Sequence, residues 1–217
     1  VFIGHNAVGF GSKRAAPRTS LGLLMAAPML PDLIWPVLLL LGVEHLRIPP
    51  IRPTKFTPLE FNDYPWSHSL AMSAVWAILF CGIYFWRTRY TAGAVTLFFG
   101  VLSHWLFDFV THAPDLPLWP GGPKVGLGLW NYPVATIATE SALFTIGIFI
   151  YRGITEPVDR TGSVSLWALI VTLAVIYVAN AGSPPPTNVR YVAYSALALY
   201  LIPIWAAWID RHREMRE

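Results

Sequence analysis

The run Ala92-Gly93-Ala94-Val95-Thr96-Leu97-Phe98-Phe99-Gly100-Val101-Leu102-Ser103-His104-Trp105-Leu106-Phe107-Asp108-Phe109-Val110-Thr111-His112 has the length of a bilayer-spanning helix, for which about 20 apolar residues suffice. It nevertheless carries two histidines and an aspartate near one end. Helix geometry stacks residues i and i+4 on one face about 40° apart, so His104 and Asp108 lie one above the other, with His112 a similar step further round. An unpaired aspartate at mid-bilayer costs roughly 2.5–3.5 kcal/mol on insertion scales. Ionisable groups kept in such a place are functional candidates. An imidazole and a carboxylate at this spacing can share one metal ion.

The rest of the chain has the same membrane character. Its 217 residues have a mean hydropathy of +0.51, and 12% are charged, against about 25% in soluble domains. Apolar runs at 21–42, 68–86, 92–112, 132–151, 164–182 and 190–209 predict an all-α integral membrane protein of about six spans. A short N-terminal segment, Phe2 to Phe10, would be interfacial or re-entrant. Pro28, Pro31 and Pro36 are expected to kink or break the first run. Residues 1–151 form a helical core with Pro-rich outer loops. Residues 152–217 form a two-helix apolar scaffold with a charged tail. The density of Pro and Gly in 113–131 excludes a regular helix and points to an ordered lid or interfacial loop.

Charge narrows the partners. The net charge is +3, with no basic cluster suited to nucleic acid. Lys13, Arg14, Arg18, Arg87, Arg89, Arg152, Arg160, Arg211, Arg213 and Arg216 fall on one side of a six-span arrangement. Arg47, Arg52, Lys55, Lys124 and Arg190 fall on the other. The positive-inside rule then puts both termini in the cytoplasm and the long segments 43–67 and 113–131 outside. The N-terminus lacks the ordered basic, apolar and small-residue stretches of a cleavable signal peptide. Cys81 is the single cysteine, so any ligand set is built from N and O.

Four spots along the chain bring His or Asp to one outer depth. Asp32 follows Pro31 past the middle of the first run, and His68 opens the second, with Ser67 a candidate cap. His104 and Asp108 lie in the outer half of the third run, and His112 ends it. Two imidazoles and two carboxylates meeting there suit one divalent metal with an open position, or two metals sharing a carboxylate. Without thiolate the set fits Zn, with Mn and Fe as alternatives, and zinc lowers the pKa of bound water to roughly 7. Each residue also has a plainer reading: a helix–helix hydrogen bond for His112 or the His104–Asp108 pair, a cap in a kinked segment for Asp32, an interfacial residue for His68. Their coincidence at one depth favours a site. His5 joins if its segment re-enters or crosses the membrane. Glu140 is a lone carboxylate in the fourth run, and His45, Asp63, Asp115 and His212 are expected to be solvated.

The order His5, Leu30-Pro31-Asp32, Ser67-His68-Ser69 and His104-x-x-x-Asp108 resembles that of the bacterial inner-membrane proteins described as membrane-bound metal-dependent hydrolases, typified by YdjM, and more distantly the zinc-dependent phospholipase C group. The resemblance covers about residues 1–130. Leu33-Ile34-Trp35 stands where that family often has a second acidic residue, and Asp63-Tyr64-Pro65-Trp66 where a basic residue often precedes the His-Ser segment. The resemblance implies a bacterial inner-membrane hydrolase with His5, Asp32, His68, His104 and Asp108 on the metal. Metal-activated hydroxide would attack an ester or phosphoester of a lipid or lipid-linked substrate, and His112 or Glu140 would act as general acid or base. The alternatives are a non-catalytic subunit of a larger membrane complex, a haem or pigment ligand set, and ion transport. Asp108, one turn from His104, argues against a tetrapyrrole pocket.

Overall fold

In lipid every backbone N–H and C=O has to find its partner inside the segment, so apolar runs of this length fold as helices. The computed structural model describes residues 2–216. In chain order the helices are α1 (Ile3–Ser12), α2 (Leu21–Leu40), α3 (Pro65–His68), α4 (Leu70–Thr88), α5 (Thr91–Thr111), α6 (Pro133–Ile154), α7 (Arg160–Gly182), α8 (Val189–Leu197) and α9 (Leu201–Asp210). Among the described residues six segments are long and apolar enough to cross a membrane: α2, α4, α5, α6, α7 and the α8–α9 stretch. The sixth is interrupted by a 3-10 turn at Ala198–Tyr200.

α2 occupies the middle of the bundle, against α1, α5, α8 and α9. Of the kink or break expected at its prolines, the break is absent: the helix continues through Pro28, Pro31 and Pro36. Proline rings remove the N–H partners of the carbonyls one turn earlier, which a helix tolerates when it is packed among neighbours. The caps also differ from expectation. Ser69, not Ser67, opens α4, its hydroxyl accepting from the Met72 amide at 3.2 Å. Ser67 belongs to the one-turn α3 and is fully buried.

α1 is the least expected element. Ten residues rise about 15 Å, half a bilayer, yet α1 is largely buried against α2, α5 and α6. Small residues permit this approach, as is common where helices meet in membranes. A Cβ on Gly9 would come within 2.7–2.8 Å of Met25, and one on Gly147 of α6 within 2.5 Å of the Ala7 carbonyl oxygen. The turn after α1 is tied to the far end of the chain. Lys13 Nζ bonds Asp210 Oδ2 at 2.9 Å and the Thr19 carbonyl at 2.9 Å, and the Leu21 amide also donates to Asp210. α1 and α2 therefore form a hairpin that returns the chain to mid-bundle.

Among the described residues three two-stranded ribbons close the ends. β1 (His45–Arg47) pairs with β2 (Glu60–Asp63), β3 (Leu116–Pro117) with β4 (Lys124–Val125), and β5 (Thr155–Pro157) with β6 (Arg213–Met215), all antiparallel. The segment 113–131 is non-helical apart from a 3-10 turn at Leu129–Asn131. It packs back on the end of α5, with the Leu127 amide on the Phe109 carbonyl and the Gly128 amide on that of His112. Gly126 permits this closeness: its φ is +157°, and a Cβ there would collide with the carbonyls of His112 and Ala113.

Candidate metal centre

The α5 periodicity puts His104 and Asp108 on the buried face, 0% and 2% exposed. His112 follows as the first residue past the helix, its amide donating to the Asp108 carbonyl at 2.8 Å, and it is also buried. Three elements bring further donors to this face. α1 supplies His5, whose Nε2 is 3.2 Å from Asp108 Oδ1 and whose ring stacks on that of His104 at 4.0 Å. α2 supplies Asp32 and α3 supplies His68, with His68 Nε2 3.4 Å from Asp32 Oδ1 and 4.0 Å from Asp108 Oδ2. His104 Nε2 is 3.0 Å and His112 Nε2 3.8 Å from Asp108 Oδ2.

The outer faces of these rings fix which nitrogen carries hydrogen. His104 Nδ1 is 2.8 Å from the Pro28 carbonyl, a pure acceptor, so Nδ1 is protonated and in the neutral ring Nε2 presents a lone pair to the site. For His68 the same result comes through a relay. Glu44 Oε1 accepts from the Trp66 and Ser67 amides, each at 2.8 Å, and Glu44 Oε2 accepts the Ser67 hydroxyl at 2.7 Å. With its hydrogen so engaged, Ser67 Oγ accepts from His68 Nδ1 at 2.6 Å. His112 is held likewise: Asp115 Oδ1 accepts from His112 Nδ1 at 2.9 Å and from the Tyr64 hydroxyl at 3.0 Å. Burial and the neighbouring Asp115 carboxylate push the Tyr64 phenol well above its usual pKa, so it remains a donor. Second partners that orient ligand imidazoles in this way are the usual companions of metal-binding histidines.

Three Nε2 lone pairs therefore face Asp108, and two of them also lie near Asp32. His104 Nε2 is buried, 3.0 Å from Asp108 Oδ2. Imidazole nitrogens and carboxylate oxygens converging on one buried space form a donor set that a divalent cation can engage. Donor atoms of His5, Asp32 and His104, and separately of His68, His104 and Asp108, lie within 4.8 Å of one another, and each group can hold a metal ion. The spacing is right: ligand atoms 2.0–2.1 Å from a tetrahedral ion are about 3.3 Å apart. There is room as well. Asp32 keeps 26% of its side chain open although Pro28, Met29, Trp35 and Pro36, its neighbours on the same helix face, are buried.

All five residues expected on the metal, His5, Asp32, His68, His104 and Asp108, are thus brought together, and His112 stands beside them. Glu140 lies elsewhere. It is buried under the start of α1, where Oε2 accepts from the Phe2 and Gly4 amides at 3.0 and 3.4 Å. His45 pairs with Asp63, and His212 with Asp159, in exposed positions away from the centre, as the loop and tail locations suggested. Asp115 was expected to be a solvated loop residue and is instead the partner of His112. Glu44 gave no signal at all, because its three bonds go to residues 22 and 23 positions further along.

Outside the ring of ligands lies a cleft of about 220 Å³, lined among others by Phe61, Asn62, Asp115, Lys124 and Trp130. Asp115 borders both this cleft and His112, 28% of its side chain open. Neither the curated proteins nor the solved structures include a match to this chain. Residues 2–183 match the family model described as YdjM inner membrane protein, a span that takes in every residue of the centre. The chain belongs to the YdjM inner membrane protein family.

Proposed function

We propose that the protein is a metal-dependent hydrolase that cleaves an ester or phosphoester bond in a lipid or lipid-linked substrate at the membrane boundary. One observation carries this reading: His68 and His104 have their hydrogens committed outward, so unprotonated nitrogens and carboxylates converge in a buried space. Zinc best suits a small set of imidazoles and carboxylates, with manganese and iron as the other candidates. Asp32, His68, His104 and Asp108 hold the ion, with His5 adding a donor. Bound there, the ion would polarise the scissile group and make a water nucleophilic near pH 7.

The chain's own residues supply the rest. His112, fixed by Asp115 and Tyr64, points Nε2 into the site and is placed to move a proton to or from water or a leaving group. Asp115 links that histidine to the cleft. Glu140 acts on the site only through α1, holding the amides that precede His5. The distribution of basic residues supports an orientation with both termini cytoplasmic and the centre toward the outer face. Purified protein is expected to carry tightly held Zn, Mn or Fe and to release label from a fluorescent phospholipid or lipid-linked ester, with both properties absent in His104→Ala. A metal-free wild type after equilibration with each of the three ions overturns the reading.

A further inference from the structure

The donors of the centre fall into two sets rather than one. Asp108 turns its two oxygens to different partners: Oδ1 faces His5 at 3.2 Å, while Oδ2 faces His104 at 3.0 Å and His112 at 3.8 Å. The two groups of donors within 4.8 Å of one another are likewise distinct, and they share His104, whose Nε2 can bind a single ion. The five donor residues, His5, Asp32, His68, His104 and Asp108, also exceed the four places of a tetrahedral ion. We propose that the site holds two divalent cations bridged by Asp108, one with His68 and His104 on the Oδ2 side and one with His5 and Asp32 on the Oδ1 side. This rests on the metal reading above and extends it to the number of ions.

The pairing gives α1 a purpose: this ten-residue helix, closely packed through Gly9 and Gly147, brings His5 to Asp108.

The test is a count of ions in the purified full-length chain, equilibrated with Zn²⁺ or Mn²⁺, dialysed, and measured by elemental mass spectrometry. The expected result is two ions per chain in the wild type and one in His5→Ala. In parallel, the Mn²⁺ form is examined by electron paramagnetic resonance. Two ions on one carboxylate give an exchange-coupled spectrum, and His5→Ala should restore the six-line signal of an isolated ion. One ion per wild-type chain, an uncoupled wild-type spectrum, or two ions retained by His5→Ala overturns the proposal. If His5→Ala fails to fold, the wild-type count and spectrum decide. A wild type that binds no metal defeats the hydrolase reading and this one with it, whereas a count of one defeats this one alone.

Discussion

Replacing Glu44 by Gln tests whether hydrogen placement makes this centre. Glu44 Oε1 is held by two amide donors, from Trp66 and Ser67, each at 2.8 Å, so the carbonyl oxygen of a glutamine is obliged to take that place. Its NH₂ group then faces Ser67 Oγ, where Glu44 Oε2 accepts a hydrogen bond at 2.7 Å in the native protein. An acceptor becomes a donor. The Ser67 hydroxyl turns its hydrogen toward His68 Nδ1, 2.6 Å away, and the imidazole proton has to move to Nε2, into the metal site. Loss of a partner of this kind costs about 10–100-fold in metal affinity, equivalent to about 1.4–2.7 kcal/mol. Ser67→Ala removes the same acceptor and should weaken binding over the same range. The measurement is competition for Zn²⁺ against a chromophoric chelator in detergent, with thermal unfolding of the metal-free protein as control. Glu44→Gln keeps both amide bonds, so its metal-free stability should change by no more than the roughly 0.5–1.5 kcal/mol of an ordinary hydrogen bond. Native affinity in both variants would refute the relay.

Two further outcomes follow from the packing. Gly147→Ala drives a methyl group into the Ala7 carbonyl. Overpacking of this kind costs about 1–3 kcal/mol, and displacement of α1 should lower metal retention as His5 withdraws, which elemental analysis and thermal unfolding would report together. Tyr64 gives a pH dependence. Its phenol is held well above the ordinary value of 10.0, so the folded state keeps the proton that the unfolded state releases. The contribution is intact below pH 10 and lost as pH rises above it. Tyr64→Phe should flatten that alkaline loss in denaturation curves taken between about pH 9 and 12. An equal loss in both proteins would show that Tyr64 is not its source.

The spans were legible because the bilayer imposes a length on any helix that crosses it, and a sequence either meets that length or does not. The six runs and the six helical segments coincide to within a few residues, and α2 stays one helix because its neighbours accommodate three prolines that would end an isolated helix. The His104–Asp108 pair was legible for an equally local reason: four residues of helix fix the two side chains on one face whatever surrounds them. Asp32 and His68 could be placed at the same depth, though not yet in contact.

What surrounds the pair was decided in three dimensions. His5 reaches Asp108 across 103 residues because α1 turns back into the bundle, and that turn depends on Lys13 meeting Asp210 near the other end of the chain. Glu44 and Asp115 look like loop carboxylates in any sequence window, and they become partners of His68 and His112 only when the outer segments fold over the ends of α3 and α5. The sequence alone therefore determined the membrane helices and one face of the centre, since both follow from backbone geometry and hydropathy over neighbouring residues. The tertiary structure alone decided which imidazole nitrogens are free to bind a metal, because a histidine tautomer is set by the partner on its far side, and each of those partners comes from packing between elements or loops.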